Sequence, residues 1–214
     1  MSFFINNNNN TNKPGPIVGN PLNGICEKAL IEVTKVFDAC VSITHESGII
    51  LTATDFDPPA PVLPLTYISA ETDFSKPTTV TNVMIDRIES RPNFANVTAT
   101  ITIPIIISYR DNNGVLGSAT SSLTITKTCI LYVPQPSLSP INITAVGTFS
   151  SVIGTFTAPD IFTVTGCYQI IIKVTAVVDL LVPSYGYPLL PECQSSPDTL
   201  CPGIADIPIY PSAL

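Results

Sequence analysis

The stretch Val97-Thr98-Ala99-Thr100-Ile101-Thr102-Ile103-Pro104-Ile105-Ile106-Ile107-Ser108-Tyr109 decides the fold class. Val97, Ala99, Ile101, Ile103, Ile105, Ile107 and Tyr109 are apolar, while Thr98, Thr100, Thr102 and Ser108 alternate with them. Successive side chains of a strand point to opposite faces, so period two marks a strand with one side in a core. Pro104 has no N–H for a ladder and indicates an edge, a bulge or a corner. Asn112-Asn113-Gly114 follows, a hairpin turn of residues that tolerate positive φ. The return strand then places Leu123, Ile125, Cys129, Leu131 and Val133 against Thr124, Thr126 and Thr128.

The pattern extends in both directions. Downstream, Ile141 to Val146, Val152 to Thr157 and Ile161 to Thr165 precede a long strand from Cys167 to Val182, where Tyr168, Ile170, Ile172, Val174, Ala176, Val178, Leu180 and Val182 share one face. Upstream lie Val80 to Glu89, Leu65 to Ser69, a linker with Pro58, Pro59, Pro61 and Pro64, and Ile49 to Thr54. The first structured segment, Ile25 to Thr44, reads as a long bent or bulged strand whose odd positions (Ala29, Ile31, Val33, Phe37, Ala39, Val41 and Ile43) are apolar. A helical stripe fits it almost as well, and β-branched content decides for strand. His45-Glu46-Ser47-Gly48 reads as the turn that ends it. Eight or more strands separated by turns give an all-β, jelly-roll-type β-sandwich.

Composition supports this. Among 214 residues are 27 Ile, 17 Val and 25 Thr, side chains that suit pleated sheet. Hydrophobic residues make up 45% and charged residues 12%, which excludes disorder of the body. A net charge of −7 and a pI near 4.4 argue against nucleic acid as a partner. No uncharged apolar run reaches the length of a membrane span, since the best candidate, Tyr168 to Val182, contains Lys173 and Asp179. The N-terminus, MSFFINNNNN, lacks the basic and apolar regions of a signal peptide.

Cys26, Cys40, Cys129, Cys167, Cys193 and Cys201 contain no C-x-x-C pair, and the single His cannot complete a zinc set at usual spacing. Six cysteines in a chain poor in charge suit disulfides in an oxidising setting; the alternative is six buried thiols. Their connectivity stays open among 15 patterns. Cys without a secretion signal fits synthesis in a cytoplasm that later oxidises or lyses, such as a spore's mother cell. Little else carries chemistry. His45-Glu46 lacks a nucleophile context, Asp55 and Asp57 read as a solvated Asp-Pro turn, and Asn9, Asn96 and Asn142 begin N-x-T triplets without a secretory context. No phosphate loop is present. The expectation is a protein that is no enzyme, with no cofactor and no metal.

Three regions follow: an arm over residues 1–24, a sandwich over 25–182 and a Pro-rich tail over 183–214. Phe3, Phe4 and Ile5 form an apolar tip on the arm, followed by Asn6 to Asn10 and a stretch with three Pro and three Gly. Roughly 20 extended residues span about 65 Å, against a diameter of about 45 Å for a compact body of this size. The arm therefore reaches a neighbouring subunit, and strand addition by such an arm gains main-chain hydrogen bonds and apolar burial together. Copies of the chain are the expected partner, in a head-to-tail polymer. The tail has seven Pro in 32 residues. Cys193 and Cys201 either close a local loop, contributing about 2–3 kcal/mol, or staple the tail to a body or a neighbour. The competing reading is a monomeric surface-binding module or adhesin, against which the absence of Trp counts.

Gly24-Ile25-Cys26-Glu27-Lys28 and Val33-Thr34-Lys35-Val36-Phe37-Asp38-Ala39-Cys40 resemble the "V-T-K-V-[FY]-D" opening strand of Firmicutes spore-surface proteins, those of clostridial type above all. An Asn-rich connector before a cysteine-bearing jelly roll is also similar to endospore appendage pilins. The resemblance implies a fibre subunit at the spore surface whose connector docks into the following subunit, with disulfides across the junction and a spore-coat protein as anchor. By position Cys26 matches the connector-side cysteine. No cysteine lies inside residues 1–24, where pilin connectors carry theirs, which leaves docking to Phe3, Phe4 and Ile5.

Overall fold

The computed structural model describes residues 20–22, 24–157 and 159–188. These contain eight strands and no helix: β1 (Glu27–Thr52), β2 (Thr54–Asp57), β3 (Thr66–Thr72), β4 (Thr79–Ile88), β5 (Arg91–Arg110), β6 (Leu116–Tyr132), β7 (Asn142–Thr157) and β8 (Ile161–Ser184). The fold is all-β, one large antiparallel sheet of the jelly-roll-like sandwich kind. The described residues fall into two compact units, one within Thr34–Val178 and one made of those within Met1–Val33 and Asp179–Leu214.

Within Thr34–Val178 the strand order is β1-β8-β7-β3-β5-β6-β2, with β4 pairing β5. Only Ala53 separates β1 from β2, yet they stand at opposite ends of that order. The sheet is therefore rolled until its two ends meet in one continuous stretch of chain. The crossing is local: Ala53 N donates to Asp160 O (2.8 Å), and the next residue, Thr54, pairs with Thr120 of β6. Inside the roll, the alternating faces of β5 (Val97, Ile101, Ile103, Ile107) and β8 (Phe162, Val164, Ile170, Val174) are fully buried in one cluster. Burying such a side chain contributes about 1.5–3 kcal/mol. The one ion pair among the described residues, Lys76–Asp73 (3.5 Å), has an exposed lysine. Low charge thus leaves apolar burial to hold this unit.

β5 and β6 pair residue for residue from Phe94↔Tyr132 to Arg110↔Leu116, closed by the Asn112-Asn113-Gly114 turn. Gly114 has φ +82, and the Asp111 carboxylate caps the turn by accepting from Asn113 N (2.9 Å) and Val115 N (2.8 Å). Pro104 sits where β5 changes neighbours: β3 pairs it from Ile105 onward and β4 up to Thr102. A residue without a donor fits the one place where no strand asks for it.

Three readings of the sequence change. Ile25 to Thr44 and Ile49 to Thr54 are not two strands with a turn between them, because β1 runs through His45 to Gly48. Gly48, with φ +76, acts as a strand irregularity of bulge type. It resets the alternation, so that Ile49, Leu51 and Ala53 are buried beyond it. The segments 141–157 and 161–182 likewise form single strands, β7 and β8, with a register shift between Ser151 and Ile153. Finally, the odd positions of β1 are not a uniform inner face. Phe37 packs on the core, but from Cys40 the inward side is even (Cys40, Ser42, Thr44), leaving Val41 61% and Ile43 73% exposed.

In the second unit, Cys26 N donates to Ser184 O (3.0 Å), Gly186 N donates to Ser184 Oγ (3.0 Å), and the Tyr185 hydroxyl donates to Pro21 O. The first residues of the expected tail are thus tied to the segment that precedes β1.

Candidate functional site: the β1–β6 seam and the cysteines

The two ends of the rolled sheet meet along β1 and β6. In the strand order β1 pairs with β8 alone, so no backbone ladder joins it to β6. Side chains hold the seam instead. Asp38 Oδ2 accepts from Tyr132 N (2.7 Å), Lys127 Nζ donates to Thr44 Oγ1 (3.4 Å), and Ser121 Oγ donates to Thr52 O (2.8 Å). These links run antiparallel, as two neighbouring strands would, with a register that shifts along the seam. Lys127 also lies over the Tyr168 ring (5.5 Å to its centre), and the Tyr168 hydroxyl donates to Glu46 Oε2 (3.0 Å). Burial first, then that hydrogen bond to a carboxylate, raises the Tyr168 phenol above its usual range. An open groove of about 490 Å³ follows the seam, lined by Glu46, Ile49, Leu123, Ile125, Lys127 and Tyr168 among others.

The outer side of the same strand is apolar. Val36, Val41, Ile43 and Ile50 of β1 are exposed, as is Ile130 of β6. Beyond the seam, the outer face of β5 and β6 differs: Thr98·Thr128 (2.8 Å), Thr100·Thr126 (3.3 Å) and Thr102·Thr124 (3.1 Å) join hydroxyls across the strands. Such pairs stabilise a sheet by a few tenths to about 1 kcal/mol each, and they cover this face with a regular, uncharged array.

Of the expected disulfide residues, Cys193 and Cys201 lie outside the described residues, as do Phe3, Phe4, Ile5 and Asn9. The other four are free thiols. Cys26 is exposed beside Ser184 O (3.5 Å), and Cys167 is exposed on β8. Cys40 and Cys129 are half-buried and come together at the seam, where both pack on the core. The Cys129 thiol donates to Val97 O (3.9 Å). Burial, then the hydrogen bond with Cys40, then the charges of Cys40 and Asp38 push the Cys129 thiol up to about 12. Sequence reasoning missed the seam itself. Its trace was legible as Asp38, Cys40, Ser42 and Thr44, which alternate with the apolar Ala39, Val41 and Ile43 in β1.

The remaining candidates stay apart. His45 is exposed on β1. Asp55 Oδ2 accepts from Thr120 Oγ1 (2.8 Å), while Asp57 is exposed at the end of β2. No group of three or more His, Cys, Asp or Glu able to hold a metal ion occurs among the described residues. No helix of the described residues is long and apolar enough to cross a membrane. Comparison of the chain with protein-family models, with curated proteins and with solved structures finds no match.

Proposed function

We propose that this chain is a structural subunit that assembles with copies of itself into an extracellular fibre or layer on a bacterial spore. The N-terminal arm, tipped by Phe3, Phe4 and Ile5, docks into a neighbouring subunit, and exposed cysteines make covalent links between subunits. The observation that carries this reading is the exposed apolar side of β1, where Val41 and Ile43 stand in water on a strand at the end of the sheet order. Apolar side chains clustered on an exposed strand face invite cover by another chain. The exposed thiols of Cys26 and Cys167 add a means of fixing such contacts. The placement at a spore surface rests on the resemblance of the opening strand.

The test is assembly of the recombinant full chain, followed by negative-stain microscopy and by gels run with and without reductant. Filaments or disulfide ladders are expected. Deleting residues 1–20 should leave soluble monomers, and Val41→Lys with Ile43→Lys should weaken assembly without unfolding the protein. Unchanged filaments from the truncated chain would remove the arm from the mechanism. A monodisperse full-length monomer that binds a surface glycan or protein would favour an adhesin instead.

A further inference from the structure

We propose that Cys40 and Cys129 form an intramolecular disulfide that closes the seam between β1 and β6. The inference stands on geometry and does not depend on the assembly reading. Two contacts bracket the pair: Asp38–Tyr132 (2.7 Å) on one side and Thr44–Lys127 (3.4 Å) on the other. The two antiparallel strands, tied on both sides of the pair, bring residue 130 or 131 across from Cys40, so Cys129 lies diagonally from it, one or two positions along β6. Both side chains also pack against the same core cluster, and the Cys40 thiol lies near enough to that of Cys129 to influence it. No backbone ladder closes this part of the sheet, so a covalent bond here reinforces a seam otherwise held by side-chain hydrogen bonds.

The chemistry needs a two-electron oxidant, and a small disulfide such as oxidised glutathione suffices. Cys40, as thiolate, attacks one sulfur of that disulfide, forming a mixed disulfide and releasing one small thiol. Cys129 then gives its proton to water, and its sulfur attacks Cys40 Sγ, expelling the second small thiol. The protein loses two hydrogens, and the oxidant is reduced to two thiols. The second step is slow at neutral pH because burial keeps Cys129 protonated, and it accelerates as the pH rises. The reduced chain would therefore fold first and lock afterwards.

Trypsin makes the test direct. Cys40 is the only cysteine between Val36 and Arg87, and after Cys167→Ser substitution Cys129 is the only one between Thr128 and Lys173. The full-length Cys167→Ser chain is oxidised at low concentration with glutathione disulfide, alkylated and digested without reductant. The expected product is a cross-link between those two peptides, recovered from the single-chain band of a non-reducing gel. Oxidation should also raise the guanidinium midpoint, and the rise should vanish in both Cys40→Ser and Cys129→Ser. Alkylated Cys40 and Cys129 after complete oxidation would overturn the assignment, as would cross-links of either to Cys26, Cys193, Cys201 or a second chain. Filament formation, read separately by microscopy, is unaffected by that outcome.

Discussion

Replacing Gly147 by Ala puts a methyl group where the Ile103 side chain already lies. An ideal Cβ on Gly147 of β7 would stand 2.5 Å from Ile103 Cγ1 and 2.6 Å from Ile103 Cδ1, whereas carbon atoms rest at about 3.5–4 Å. Neither partner retreats easily. Ile103 is completely buried, and Thr78 holds the Gly147 backbone on both sides, accepting from its N–H (3.1 Å) and donating to its carbonyl (3.4 Å). Gly147→Ala should therefore cost about 1–3 kcal/mol by overpacking. Ile103→Ala alone should cost about 2–5 kcal/mol through lost burial and the cavity left behind. That substitution also removes both atoms the new methyl would strike. The double variant should thus be no less stable than Ile103→Ala alone, with a coupling energy of about 1–3 kcal/mol. Guanidinium unfolding followed by far-ultraviolet circular dichroism and tyrosine fluorescence measures all four proteins, since the chain has no Trp. In thermal melts each kcal/mol corresponds to about 2–4 °C at this size. Costs that add to within about 0.5 kcal/mol would show that the Gly147–Ile103 contact does not set the packing here.

Two further predictions concern polar groups. Arg87 donates to three backbone carbonyls, Pro92 (2.9 Å), Val133 (3.0 Å) and Pro134 (2.7 Å), and so fastens the end of β4 to the chain leaving β6. Arg87→Met should cost about 2 kcal/mol, since hydrogen bonds to charged groups contribute most when a carbonyl would otherwise be left unpaired; a denaturant midpoint unchanged by the substitution would contradict this. The Asp73 carboxylate accepts from the Ser75 hydroxyl (2.5 Å) and Ser75 N (2.9 Å) and lies near Lys76, all of which hold it below the usual carboxylate range. A lowered folded value gives stability that is present above the unfolded pKa near 4 and is lost as the pH falls through the lower folded one. The stability difference between wild type and Asp73→Asn should accordingly shrink as pH is lowered from about 6 toward 2, and a constant difference would show that the carboxylate charge contributes nothing.

Much of the fold was present in local pattern. The alternation from Val97 to Tyr109 and from Tyr168 to Ala176 is set by the two-residue repeat of a strand, and it names the buried face without reference to anything distant. The turn at Asn112-Asn113-Gly114 is local in the same sense, because the left-handed conformation at Gly114 is a property of that residue. Pro104 announced an irregularity, but its meaning, the handover of β5 from β3 to β4, needed both neighbours.

The sequence by itself determined an all-β chain, its strongest strands and its main hairpin, since these follow from residue periodicity and turn chemistry. Only the tertiary structure decided which strand ends meet. Closure depends on contacts far apart in sequence, such as Asp38 with Tyr132 and Thr44 with Lys127, and no local repeat encodes those. The same long-range closure turned Val41 and Ile43 outward, against the alternation of their own segment, and brought Cys40 to Cys129. Periodicity fixes which residues share a face. Whether that face meets the core or the solvent depends on what the fold places beside it.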